Sequence, residues 1–140
     1  MKKLFVILVM VSAAACSKVS NHQVHARPVP FFNSSQEADA LVKSAIQKLH
    51  LKGGFTSIEH VSYLRSGKDA YAFIFYHSTC GSKSMVAQKT MQDDESIDNP
   101  TVTVCQDGSC DCSVKAILNG DGTIGIGCSC NDCKKVTSGL

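Results

Sequence analysis

The stretch SSQEADALVKSAIQKLHLKGGFTSIEHVSYL, residues 34–64, changes its hydrophobic period part-way along, and that change decides the fold class. In its first half Ala38, Leu41, Val42, Ala45, Ile46 and Leu49 recur at steps of three and four, which gathers them on one face of a helix. Ser34-Ser35-Gln36-Glu37 has the form of a capping box, in which the Ser34 hydroxyl accepts from the helix backbone and Glu37 reaches back. Gly53-Gly54 supplies the stop. The spacing predicts one amphipathic helix of about four turns, its apolar stripe packed on a sheet.

From Phe55 the period becomes two. FTSIEHVSYL alternates, SGKD makes a turn, AYAFIFYH is rich in aromatic and branched residues, and KSMVAQKT alternates again. TVTVC, CDCSVKAIL and TIGIGCSC follow as three more strands, after the acidic loop MQDDESIDNP. The expected fold is α+β: an N-terminal amphipathic helix leading into an antiparallel β-meander of about six strands, with a cysteine-rich C-terminal end. The acidic loop reads as solvated surface. No 20- to 50-residue period repeats, and no Rossmann or P-loop glycine pattern occurs.

Upstream, MKKLFVILVMVSAAAC carries two lysines, an apolar run from Leu4 to Val11 and then small residues, the layout of a secretory signal. The run is too short to span a bilayer, which takes roughly 20 apolar residues. Ala13-Ala14-Ala15-Cys16 resembles the lipobox of bacterial lipoproteins, with Ala13 where leucine is usual. The resemblance covers residues 1–16 only and implies an anchor, not an activity. It implies that residues 1–15 are a removed signal peptide and that Cys16 takes a diacylglyceryl lipid and becomes the mature N-terminus. Ser17 stands where an aspartate would retain such a protein in the inner membrane, so the implied location is the outer membrane, facing the periplasm.

Residues 16–33 then read as the lipidated cysteine and a tether: SKVSNHQVHARPVPFFN, residues 17–33, is polar, holds two of the three prolines and has neither helical nor strand periodicity. His22 and His25 within it read as solvated linker histidines, and Phe31 and Phe32 as the first contact with the folded body. Residues 34–140 are enough for a single domain with a real core. Once Lys2 and Lys3 leave with the signal, the 14 Lys and Arg fall to 12 against 12 Asp and Glu. No basic surplus remains to neutralise phosphates, which argues against nucleic acid as a partner and leaves the lipid anchor as the membrane contact.

Six cysteines crowd into CQDGSCDCSVKAILNGDGTIGIGCSCNDC, residues 105–133. NGDGTI within it imitates an EF-hand loop, but in that register Ile117 and Cys128 fall where calcium needs oxygen ligands, so the stretch is a glycine-rich hairpin turn. A two-residue turn at Asp107-Gly108 would set Cys105 opposite Cys110, with Cys105, Cys110 and Cys112 on one sheet face. A three-residue loop at Asn119, Gly120 and Asp121 would set Cys112 opposite Cys128 and Cys110 opposite Cys130; a loop shifted by one residue would set Cys112 opposite Cys130.

Three functions compete for this cluster. An exported chain meets an oxidising compartment, where Cys105, Cys110, Cys112, Cys128, Cys130 and Cys133 would be structural disulfides. Alternatively Cys110, Cys112, Cys128, Cys130 and Cys133 would hold zinc or copper(I) as thiolates. Lastly, Cys130-Asn131-Asp132-Cys133 has the spacing of a redox pair, without the helix N-terminus that lowers a thiol pKa. Cys80 stands apart, three residues after His77; it reads as a small half-buried thiol, because no orienting third group is visible for a Cys-His nucleophile and Glu59 fits a strand's solvent face. The expectation is a non-enzymatic, lipid-anchored binding or structural module stapled by disulfides, with no cofactor. The metal-binding lipoprotein is the first alternative and the thiol-disulfide redox protein the second.

Overall fold

The computed structural model describes residues 31–92, 95–96, 99–107 and 111–140. The signal segment 1–15, Cys16, His22, His25 and Cys110 lie outside the described residues, as do four residues of the acidic loop.

Helix α1 runs Ser35–Lys48, with Ala38, Leu41, Val42 and Ala45 buried as the three-and-four spacing requires. Ser34 is the N-cap, its hydroxyl accepting from the Glu37 backbone N–H at 3.2 Å. The Glu37 carboxylate does not return to Ser34 but accepts from the Asn33 backbone N–H at 2.8 Å. Its other oxygen lies 3.6 Å from Lys89 Nζ, which also donates to the Phe31 carbonyl and sits over the Phe31 ring. This corner holds Phe31 and Phe32 in the core, at 4% and 6% exposure.

The helix ends earlier than Gly53-Gly54. His50 takes a left-handed φ of 50°, its N–H bonds to the Gln47 carbonyl, and the Leu51 N–H bonds to the Ile46 carbonyl at 3.0 Å. That is a Schellman stop with histidine in the usual glycine place. Gly53, at φ 87°, serves a close approach instead: a Cβ there would stand 3.2 Å from the Cys80 backbone nitrogen. The Gly54 N–H and carbonyl bond to Thr79, so the chain entering the sheet is clamped to a neighbouring turn.

The strands are β1 Phe55–Ser66, β2 Asp69–Ser78, β3 Gly81–Gln92, β4 Glu95–Ser96, β5 Thr101–Gln106, β6 Val114–Leu118, β7 Ile124–Cys128 and β8 Lys134–Gly139. Among the described residues they form a six-stranded sheet, ordered β1-β2-β3-β5-β8 with β4 added to β3, and a separate hairpin, β6-β7. Every pairing is antiparallel.

The sheet is covered on both faces. Ala72, Ile74 and Tyr76 of β2, with Met85, Ala87, Val102 and Val104, pack against the helix. Tyr71, Phe73, Val86 and Cys105 face the other way and pack against Val114, Ile124 and Ile126 of the hairpin. AYAFIFYH therefore reads as a nearly continuous apolar run because its strand is buried on both sides.

This layering corrects the simple meander. The expected pairing of Cys105 with Cys110 across Asp107-Gly108 lies outside the described residues, and within them Cys105 stands opposite Lys135 of β8. The segment KKVTSG, assigned no strand from sequence, supplies Val136 to the helix-side core and a Thr137 hydroxyl 2.8 Å from that of Thr103. The predicted strands CDCSVKAIL and TIGIGCSC shorten to β6 and β7, which leave the sheet to cover Tyr71 and Phe73. Cys112 and Cys130 consequently lie outside regular strands, so the shared face expected for Cys105 and Cys112 does not form.

Candidate functional site

The β6-β7 loop shows how the cysteines come to their places. Leu118 pairs with Ile124, so Asn119–Thr123 make a five-residue loop rather than three. Asp121 accepts from both the Thr123 backbone N–H and the Thr123 hydroxyl, and these bonds lower its carboxyl pKa. The carboxylate is thus occupied inside a turn, as the glycine-rich hairpin reading requires. The register runs through Val114 opposite Cys128, and beyond it Ser129 bonds to Ser113 and to the Asp111 carbonyl. It points along the shifted register, although the ladder itself stops before Cys112 and Cys130.

The bridges then form between layers. Cys105 of β5 is bonded to Cys128 of β7, with Cα atoms 5.6 Å apart, and Cys112 is bonded to Cys133, just before β8, at 5.8 Å. Cys130 is disulfide-bonded as well. The first bridge joins the sheet to its covering hairpin, and the second joins the crossing segment to the entry of β8. Ser84 of β3 adds a buried contact, accepting from the Val114 N–H at 3.0 Å. In these two bridges the cross-strand pairing of neighbours expected from sequence is replaced by pairing across the space between two layers; the expected pairs that involve Cys110 lie outside the described residues.

Of the metal-ligand candidates, the structure gathers Cys130 and Cys133 with Asp132, their donor atoms all within 4.8 Å of one another. Both sulfurs are in disulfides in this form, with Cys133 bonded to Cys112, and Cys128 is committed to Cys105. Thiolate ligation would require those bridges to be opened first. Cys130 and Cys133 are likewise not bonded to each other.

Cys80 is a free, exposed thiol on the β2-β3 turn, whose backbone N–H bonds to the Ser78 hydroxyl. His77 turns elsewhere: its Nδ1 lies 3.2 Å from the Ser82 hydroxyl and its Nε2 3.7 Å from Glu59. Sequence reasoning missed this row because Glu59 is brought beside His77 only by strand pairing across a bulge. At 48% and 55% exposure the histidine and glutamate sit in water, and a general base gains little there from its carboxylate. If Cys16 carries the lipid its lipobox-like context implies, alkylating the unfolded, non-reduced protein should label Cys80 alone, since Cys105, Cys112, Cys128, Cys130 and Cys133 are oxidised. Peptide mapping checks this; label at Cys133 with Cys80 protected would contradict the pairing.

Among the described residues, cavities open to solvent flank both ends of α1. One, of about 650 Å³, runs between the N-terminal end of α1 and the edge strand β1, past Phe32, Asp39 and Tyr63. The other, of about 550 Å³, lies below the C-terminal turn of α1, between Lys52, Tyr76, Lys83, Asp107 and Asp111, and reaches Cys112. Burial raises the Tyr76 pKa to about 12, so its hydroxyl keeps its proton throughout the neutral range.

No family model matches this chain. Neither the curated proteins nor the solved structures give a match. No described helix is long and apolar enough to cross a membrane.

Proposed function

We propose that this chain is an exported cell-envelope protein, anchored by a lipid on Cys16 at the outer membrane and facing the periplasm, whose folded domain is a non-enzymatic binding module stapled by disulfides. The observation that carries this reading is the pair of interlayer bridges, Cys105–Cys128 and Cys112–Cys133, which a chain keeps in an oxidising compartment and loses in a reducing one. The signal-like start and the lipobox-like Ala13-Ala14-Ala15-Cys16 point to the same compartment independently.

The test of the anchor is Cys16→Ser. The wild type should partition with membranes as an acylated species with residues 1–15 removed, whereas the variant should lose the acyl mass and leave the membrane fraction or remain unprocessed. A mature, membrane-bound variant of unchanged mobility would refute the anchor. The metal reading keeps one supporting observation, the convergence of Cys130, Asp132 and Cys133. Elemental analysis of protein from its native envelope separates the two: stoichiometric zinc or copper with alkylatable cluster cysteines would replace the staple by a metal site.

A further inference from the structure

The cavity beneath the C-terminal turn of α1 has an unusual charge arrangement. Lys52 and Lys83 line it together with Asp107 and Asp111, yet among the described residues none of the four makes an ion pair or a side-chain hydrogen bond. Opposite charges around one opening ordinarily close on each other unless the backbone holds them apart. Here Lys83 is fixed on β3, while Lys52 follows the helix stop. Asp107 is held by a left-handed φ of 60° at the end of β5. The result is an opening with two cationic and two anionic groups that do not neutralise one another.

A second observation sits within the cavity. Tyr76 is 3% exposed, and its hydroxyl has no hydrogen-bond partner among the described residues. No buried side-chain oxygen among the described residues is left both enclosed and unpaired, so this hydroxyl meets solvent, and the opening Tyr76 lines is this cavity. A buried tyrosine ordinarily finds a partner for its O–H. One that donates only into a cavity is matched to an acceptor arriving from outside.

We propose that this cavity binds a small zwitterion of amino-acid to dipeptide size, its carboxylate taken by the Tyr76 hydroxyl and the Lys52 and Lys83 ammonium groups, its ammonium by Asp107 and Asp111. The volume suits such a ligand, since small-molecule sites range over roughly 300–1,000 Å³. Charge-assisted hydrogen bonds at both ends give orientation as well as affinity. This deepens the reading of the domain as a binding module and rests on it.

The probe is L-alanyl-L-alanine, titrated into the oxidised full-length protein and followed through backbone amide shifts. Saturable shifts are expected at Lys83 and Asp107. N-acetylation or C-amidation of the dipeptide should each weaken binding by roughly tenfold to a hundredfold, because each removes one charged end. Tyr76→Phe keeps the ring in the core and should weaken binding several-fold with the melting temperature held; Lys83→Gln should do the same. Absence of saturable shifts up to a ligand concentration on the order of 10 mM, or equal binding of the blocked and free dipeptides, would overturn the site. If the dipeptide fails while Cys16 is acylated and Cys80 alone is labelled, the site falls and the stapled envelope module stands. If acylation and labelling fail while the dipeptide binds, the reverse holds.

Discussion

Reduction of the oxidised protein should lower its melting temperature by roughly 10–20 °C, and a chelator should leave it unchanged. The bridges Cys105–Cys128 and Cys112–Cys133 close loops of sequence separation 23 and 21. Loops of that length restrict the unfolded chain by roughly 3 kcal/mol each, and a domain of this size loses about 4 °C for each kcal/mol. The two loops overlap, since Cys112 lies inside the first and Cys133 outside it, so their effects do not simply add. A thiolate metal site makes the opposite demand, its ligands binding only when reduced, and a chelator rather than a reductant would then unfold the region. Thermal unfolding monitored in parallel with reductant, with chelator and with neither decides between them.

Ile74→Ala should destabilise the domain by about 3–4 kcal/mol. The side chain is fully buried on the helix side of β2, among Met85, Val42 and Val102, all of which are fully buried too. A truncation there loses both the transfer free energy of the removed groups and the contacts around the space left behind. Leu118→Ala, at 77% exposure on the hairpin, should change stability by less than about 0.5 kcal/mol. Urea unfolding of the oxidised protein checks both through a shifted midpoint at an unchanged slope. Equal losses from the two substitutions would show that β2 is not the centre of the core.

What the sequence made legible is what local chemistry decides. Ser34 and the apolar spacing through Ala45 set the helix, because capping and face formation need only neighbours in the chain. AYAFIFYH declared a strand by its aromatic and branched residues. Where the reading went astray, partners from distant elements took over. His50 stopped the helix before the glycines, with Leu51 bonding back to Ile46, and Gly53 was reserved for the approach of Cys80.

β8 escaped notice because Val136 is its one large apolar residue, and its place is set by β5, about thirty residues earlier in the chain. The disulfide partners were illegible for a related reason. Counting register along adjacent strands assumes one sheet, and the hairpin left that sheet to cover Tyr71 and Phe73. Glu59 beside His77 depended on a β1 irregularity that no local pattern announces. The charges around the Tyr76 cavity come from three separate segments, so no spacing rule could have collected them.

The position of β8 fixes the order in which the fold can be completed. This strand follows every other described strand in the sequence, yet it pairs along the whole of β5. A chain emerging amino end first, from a ribosome or through a translocation channel, presents Val102 to Gln106 as an open edge until residues 134–139 arrive. During that interval Cys105, Cys112 and Cys128 are already out and able to pair with one another, whereas Cys133 is not. Oxidation that runs ahead of emergence can therefore join Cys112 to an earlier cysteine, a pairing that must be exchanged before the native one forms. The time this domain takes to reach its native bridges is then set by thiol–disulfide exchange as well as by oxidation.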